Sequence, residues 1–509
     1  MKVTDDLFQL IKSLDQSERR YFKIFASLHI KESENNKYVR LFDAIDSQEQ
    51  YDESEIRKQF KNEKLLNQLH VAKNYLYNNI LKSLRLYHSE KSKLNELMDL
   101  LRDVQILYDK SLYKQCRKHL DKAKKIAYEY EKYAQIIAII DWEKTLARTK
   151  AYYDFSEDEL LNYYNEHNTA MENLSNINEY WKLTMKSFFL KKKQGIIRDK
   201  SELEKFNLLI KNSLLESESK AKTFLSKTFY YNIKGLYYHT NNDYKNLLKY
   251  CNKLIDLLEA NPLLTNQENY IAALNNLLLV QIEMGKFTEA IATINKLRAI
   301  ETKSVSLQTR IFVTSYDTEI NLYLKSGDFE KGIMLVPDIE AGIKNLKEKI
   351  NKEAVVLFAF NISYLYFGAG DFDNSLKWLN KIINDKELNI REDIQCFARI
   401  INILVHYELN NFDLIDYIIK STKRYLSGKN KLLKFEQTFL SYIKKLINSK
   451  NDKDKMYVYE QMLSELSALS KDDSEINLNE YFDFISWLES KIKNKKFQDV
   501  VKAKNSKND

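Results

Sequence analysis

The sequence predicts an all-α protein, and two observations lead to that fold class. The chain of 509 residues contains only 9 Gly and 2 Pro, whereas average frequencies are roughly 7% and 5%. Sheets need frequent turns that use both residues, and helix interiors exclude them. The second observation is that apolar residues follow a helical period after a short turn motif. This motif recurs every 40–43 residues in its clearest copies.

The turn motif consists of a small or turn-forming residue, any residue, and an aromatic residue. Its copies end at Tyr244, Phe287, Phe329, Phe372 and Phe412, and the spacing continues backwards to Tyr113 and Phe155, which lie 42 residues apart. A Gly or Asn after a helix can adopt the left-handed conformation that ends it, and an Asp or Asn at the next position can cap the following helix. We therefore predict that the aromatic residue enters a second helix, and that Phe329 and Phe372 are largely buried.

These units resemble tetratricopeptide repeats. In residues 228–258, Gly235 is followed by Tyr238, by Asp243-Tyr244 and by Leu247, and the segments 285–290 and 327–332 are similar to the central turn of that family. The resemblance covers roughly residues 95–425. The units exceed the 34 residues of the family and resemble the longer repeats of peptide-pheromone receptors. The resemblance implies a right-handed superhelical array of helix pairs (an α-solenoid) with a concave inner surface.

Four regions follow from this reading of the chain. They are an N-terminal helical bundle (1–93), the repeat array (94–428), C-terminal capping helices (429–490) and a basic disordered tail (491–509). In the bundle, we expect helices to start near Thr4, Gln16, Asn36, Asp52 and Lys64. From Lys491 to Lys507 there are seven lysines and one acid, and this polarity predicts disorder.

Composition and motifs exclude several classes of function. The first six residues include two acids where a signal peptide carries bases, and no apolar stretch is long enough to span a bilayer. Cys116, Cys251 and Cys396 are scattered, which indicates reduced thiols in the core and favours the cytoplasm. No phosphate loop, HExxH or GxSxG motif occurs. We therefore expect no enzymatic activity, no metal, no cofactor and no membrane segment.

The predicted concave face offers a candidate peptide-binding site. A set of polar residues recurs on the predicted first helices: Asn232, His239, Asn275, Asn276, Asn321, Asn361 and Asn402. An Asn amide donates and accepts, so it can hold a peptide backbone of any sequence. Asn232 and Asn275 each lie 12 residues before the aromatic of their unit, so we expect them to point the same way. The alternative is that these side chains simply face solvent.

Residues 55–93 carry a second hypothesis, because a short helix followed by a longer basic helix is typical of helix-turn-helix proteins. The candidate nucleic-acid contacts are Lys61, Lys64, Lys73, Lys82 and Arg85. Against this interpretation, Leu and Tyr at helical spacing usually form core, and a basic helix face is usually solvated. The leading hypothesis is an adaptor that binds a protein segment or peptide. The alternative is a ligand-responsive regulator whose N-terminal region contacts nucleic acid.

Overall fold

The computed structural model describes residues 3–29, 32–61, 63–88, 92–194, 200–346, 349–385, 391–429, 431–469 and 481–505. Within these ranges there is no strand, and consecutive helices pack against one another, which confirms the predicted all-α class. The chain forms two compact units, Met1–Glu179 and Tyr180–Asp509, so the division falls inside the predicted repeat array. None of the described helices combines the length and the apolar character needed to span a bilayer.

The first unit begins with a bundle built around its longest early helix. The elements are α1 (Val3–Ser13), α2 (Gln16–His29), α3 (Glu32–Asp46), α4 (Glu53–Gln59), a 3-10 turn (Lys64–Gln68) and α5 (Leu69–His88). Helix α5 packs against α1 and α2 and places Leu76 and Ile80 in one buried cluster with Phe22 and Phe42. The long basic helix is therefore the centre of the bundle.

Four more helices complete the first unit, and the last of them continues into the second. They are α6 (Lys93–Asp109), α7 (Tyr113–Glu129), α8 (Tyr133–Thr149) and α9 (Glu157–Gln194). Cys116, Leu120 and Ile140 are fully buried between them. Lys124 reaches carboxylate oxygens of Glu143 and Glu166, at 3.0 and 2.6 Å, so a partly buried cation joins three helices.

The second unit is a long succession of helices. They are α10 (Lys200–Ile210), α11 (Phe224–Thr240), α12 (Tyr244–Ala260), α13 (Gln267–Glu283), α14 (Phe287–Arg298), α15 (Val305–Ser326), α16 (Phe329–Ile333), α17 (Val336–Asn345), α18 (Lys352–Gly368), α19 (Phe372–Ile383), α20 (Glu392–Glu408), α21 (Phe412–Gly428), α22 (Lys434–Ile447), α23 (Asp452–Leu469), α24 (Phe484–Ile492) and α25 (Phe497–Asn505).

The turn motif explains where the second helix of each pair begins. Helices α7, α12, α14, α16, α19 and α21 all start at the aromatic residue of the motif, as predicted; α9 starts two residues after Phe155. The backbone two residues earlier has positive φ at Ser111, Asn242, Gly285, Gly327, Gly370 and Asn410, which is the left-handed conformation that ends a helix. Asp243 and Asp371 accept cap hydrogen bonds from Asn246 and Asn374, both at 3.1 Å.

Close approach of α16 to α18 depends on two glycines. A Cβ at Gly368 would lie 2.5 Å from the ring of Phe329, and a Cβ at Gly332 would lie 2.4 Å from Leu365. Phe329 is fully buried, as predicted. Phe372 is partly buried and packs against the same core cluster, and its ring lies 5.2 Å from that of Phe367.

The C-terminal segment, residues 481–505, packs against helices that are distant in sequence. Phe497, Val500 and Val501 on α25 are buried, and α25 contacts α15. Lys502 forms an ion pair with Asp328 at 2.8 Å. The polarity of 491–509 predicted disorder, whereas Phe497–Asn505 is helical, because its few apolar residues share one face and meet the core. Residues 506–509 of that predicted tail lie outside the described residues.

Candidate functional site

A groove opens between α11 and α13 in the second unit. It has a volume of about 480 Å³, within the range of roughly 300–1,000 Å³ that is typical of ligand pockets. Buried side chains of α12, namely Leu247, Cys251 and Leu254, form its base. Phe188 of α9 lies at its edge. The groove is thus built by three consecutive helices and one aromatic side chain from the preceding region.

Two helices supply the side chains of the groove at spacings of three and four residues. Such spacings place side chains on a single helix face. The residues concerned are Asn232, Leu236 and His239 on α11, and Asn276, Leu279 and Glu283 on α13. Each helix therefore presents one amide, one leucine and one ionisable group to the same groove.

The edge of the groove exposes large apolar side chains. Leu279 is 50% exposed and Phe188 is 57% exposed. Trp181 and Met185 precede Phe188 by seven and three residues on α9, so they share its helix face, and both are also exposed. Contiguous apolar surface of this kind marks interaction sites more often than it marks ordinary protein surface.

A cluster of tyrosines holds one wall of the groove in place. The rings of Tyr238 and Tyr250 stack at 5.5 Å with 15° between their planes, and the ring of Tyr231 lies 6.3 Å from that of Tyr250. Lys253 pairs with Glu218 at 2.7 Å. Burial, together with the nearby carboxylate of Glu218, raises the pKa of Tyr231, so this phenol stays neutral near neutral pH.

Electrostatically the groove is weakly acidic. Its lining contains one acid, Glu283, and no lysine or arginine. Lys325 contacts Glu283 at 2.9 Å from outside the lining, and both side chains are more than one-third exposed. Burial raises the pKa of Cys251 to about 12, so the thiol is protonated and contributes apolar surface to the base.

Three of the predicted peptide-binding residues line this groove: Asn232, His239 and Asn276. Asn275 is half-buried beside them but does not line it, and Asn321 is exposed on α15, away from the groove lining. Asn361 differs most from the expectation, because it is buried and donates its amide to Asp317 at 3.2 Å. Asn402 is also buried.

Helix geometry explains why Asn276, and not Asn275, lines the groove. Asn232 and Asn275 occupy the same position relative to the aromatic of their units, but of the two only Asn232 lines the groove. A groove between two helices is lined by facing edges, and one residue turns a helix by about 100°. The edge of α13 that faces α11 is therefore reached one residue later, at Asn276.

The candidate nucleic-acid contacts are not equivalent in the structure. Lys61, Lys82 and Arg85 are exposed. Lys73 is 2% exposed, and its ammonium donates to the Tyr51 hydroxyl and the Glu53 carboxylate. A phosphate contact requires an accessible cation, so Lys73 has a structural role instead. Lys64 starts the 3-10 turn, but its side chain lies outside the described residues.

Sequence reasoning missed the apolar half of the groove. Leu236 and Leu279 each lie eight residues before the aromatic of their unit, and Glu283 lies four residues before Phe287. Alignment of the units on their aromatic residues would have shown the repeated leucine. Phe188 had no such signal, because it belongs to a helix outside the two aligned units.

The described residues thus define an all-α chain of sequentially packed helices that carries an open groove. Among them, no group of three His, Cys, Asp or Glu side chains is placed to hold a metal ion. No protein-family model matches the sequence, and no curated protein matches it significantly.

Proposed function

We propose that this protein is a non-enzymatic adaptor that binds a protein segment in the groove between α11 and α13. We further propose that its helix pairs form a TPR-like, right-handed superhelical array in which the groove is part of the concave face. The observation that carries the proposal is the pairing of half-exposed Leu279 and Phe188 with amides at Asn232 and Asn276 in one groove.

Each part of the groove has a separate role in this function. The exposed leucine and phenylalanine gain free energy when a partner covers them, at about 25 cal/mol per Å² of apolar surface. Asn232 and Asn276 can donate to carbonyls and accept from N–H groups of the bound segment. The tyrosine wall keeps the groove open in the free protein, which lowers the entropic cost of binding. Reduced, buried thiols favour the cytoplasm as the place where this occurs.

The proposal is tested by affinity capture of partners from native cytosol with the wild-type chain and two variants. Leu279→Arg places a cation in the groove, whereas Leu414→Arg changes a leucine of nearly equal exposure, 52% against 50%, on α21. We expect the affinity of the groove variant for its specific partner to fall by about tenfold or more, and a tenfold loss corresponds to about 1.4 kcal/mol of binding free energy. The control variant should retain the partner.

A second comparison uses the amides. Asn232→Ala combined with Asn276→Ala should weaken capture while the circular dichroism spectrum stays unchanged, since neither side chain is buried in the core. Nuclease treatment should not release the partner. Equal capture by the wild-type chain and by Leu279→Arg would refute the groove as the binding site.

A further inference from the structure

The C-terminal segment covers a surface in the later helix pairs that corresponds to the open groove in the earlier ones. Phe482 lies 4.7 Å, ring to ring, from Tyr364 of α18, and the backbone N–H of Asp483 donates to the Tyr364 hydroxyl at 3.0 Å. Tyr364 lies eight residues before Phe372, the aromatic that starts the second helix of its pair. This is the position that Leu236 and Leu279 occupy in their own pairs.

A second position shows the same correspondence. Glu408 of α20 lies four residues before Phe412, as Glu283 lies four residues before Phe287. Glu408 accepts a hydrogen bond from the indole N–H of Trp487 at 2.6 Å, and its other oxygen pairs with Lys491 at 2.6 Å. The face that is covered on α18 and α20 is therefore the face that remains open on α11 and α13.

The covering segment shows which chemistry this face binds. Trp487 and Lys491 are four residues apart on α24, so they project from one side of the helix. The indole ring meets the rings of Tyr407 on α20 and Tyr459 on α23 edge-on, at 6.2 and 6.0 Å. Trp487 is 1% exposed, and Lys491 reaches the same carboxylate of Glu408 one turn later. An aromatic residue followed four residues later by a base thus satisfies both the apolar and the acidic part of the surface.

We propose that the open groove binds a helical segment of a partner protein that carries an aromatic residue and, four residues later, a lysine or arginine. The inference rests on the proposed function and names its ligand class. By analogy with Trp487 and Lys491 at Glu408, the aromatic side chain packs beside Glu283 and Leu279, and the base approaches the Glu283 carboxylate. Lys325 already contacts Glu283, but exposed ion pairs contribute little, so an incoming base can share that carboxylate.

Charge and burial decide between this occupant and others. The lining has one acid and no lysine or arginine, so it favours a basic segment over an acidic one. The segment 481–505 of a second copy is excluded as the natural occupant, because Phe482 and Trp487 are 0% and 1% exposed in their own chain.

The probe is a fluorescent synthetic peptide with the sequence of residues 481–505, titrated into the full-length protein and followed by anisotropy. A matched peptide carries Glu in place of Lys491, and a third carries Ala in place of Trp487. A photoreactive phenylalanine at the Trp487 position maps the contact. We expect saturable binding, crosslinks to residues 232–283, and a loss of at least about fivefold with either altered peptide.

Protein variants separate the open groove from the surface that is already occupied. Leu279→Arg should abolish peptide binding, and Glu283→Lys should weaken the wild-type peptide while favouring the Glu-bearing one. Glu408→Gln should leave binding to the open groove unchanged. Absence of saturable binding, or crosslinks confined to α18 and α20, would overturn the inference.

The outcome is distinguishable from failure of the proposed function. The segment that native capture identifies can be sequenced and tested for the aromatic–base spacing. If Leu279→Arg loses that partner but the captured segment lacks the spacing, the adaptor function stands and the ligand class is wrong. If Leu279→Arg retains the partner, the groove itself is not the site.

Discussion

The ring of Phe497 stacks on the ring of Phe329, with centroids 5.6 Å apart and 9° between the planes. Phe329 begins α16, whereas Phe497 begins α25 near the end of the chain. The stack continues to Phe482, whose ring lies 5.7 Å from that of Phe497. One aromatic column therefore fixes the C-terminal segment on the helices in the middle of the second unit.

Truncation of Phe329 should be strongly destabilising. The side chain is fully buried and packs on both Gly368 and Phe497, so Phe329→Ala leaves a cavity and should cost about 3–5 kcal/mol. Phe412→Ala is the matched control, since Phe412 starts the equivalent helix but is 36% exposed, and it should cost clearly less. Urea denaturation of both variants measures the difference, and equal losses would contradict it.

Two of the left-handed glycines, Gly285 and Gly327, separate the cost of backbone strain from the cost of loosening the C-terminal helix. Gly285 has φ +73° and no atom within 4 Å of an added Cβ, whereas Gly327 has φ +79° and a Cβ added there would lie 3.0 Å from Lys502 Cγ. Gly285→Ala should therefore cost about 1–2 kcal/mol from the backbone alone. Gly327→Ala should cost more and should loosen α25. Hydrogen exchange of α25 amides should increase only in Gly327→Ala.

The local structure was predictable from the sequence to a large extent, and the long-range packing was not. The motif that ends at Phe287 or Phe329 fixes a left-handed residue and a helix start through interactions within a few residues. The position of Phe497 depends on packing against Phe329, which no local pattern encodes. The sequence predicted only the polar residues of the groove, because amides that recur on successive first helices are an unusual pattern. Leu279 was not predicted, because a leucine at helical spacing is usually a core residue.

Asp317 gives a prediction about pH. Burial raises its pKa to about 6, although Asn361 and Arg391 act in the opposite direction. Because the ordinary pKa lies near 3.9, the folded state binds this proton more tightly than the unfolded chain. The contribution of Asp317 to stability is therefore greatest at low pH and is lost as the pH rises through 6.

Asp317→Asn should consequently stabilise the second unit at pH 7.5, by roughly 1–3 kcal/mol, because an amide can still accept from Asn361 without the cost of a buried charge. The gain should shrink below pH 6 and disappear near pH 4. Thermal unfolding at pH 7.5 and pH 5 measures both effects. A gain that is the same at both pH values would contradict the assigned pKa.

Lys73 and Lys82 distinguish a structural role of α5 from nucleic-acid binding. Lys73 is buried and pairs with Glu53, and the hydrogen bond from Lys73 lowers the pKa of that carboxyl group. Lys73→Ala should therefore destabilise the first unit by about 1–3 kcal/mol, since it removes the hydrogen bonds to Tyr51 and Glu53 and leaves a cavity in place of the buried lysine side chain. Lys82→Ala changes an exposed side chain and should shift stability by less than about 0.5 kcal/mol.

Residues 61–85 of the same bundle provide the test of the nucleic-acid hypothesis. Lys61, Lys82 and Arg85 are the exposed members of the predicted set, so the triple Gln variant removes their charge without touching the core of the bundle. If contacts with phosphate groups provided the affinity, binding to duplex DNA would weaken steeply as the salt concentration rises. The triple variant would then reduce the slope of log K against log [salt] by the amount expected for up to about three lost phosphate contacts. We expect instead weak retention with the same salt slope in both proteins, because α5 is packed at the centre of its bundle and presents only one face. Filter binding at two salt concentrations decides the question, and a flatter slope in the variant would establish these three cations as phosphate contacts.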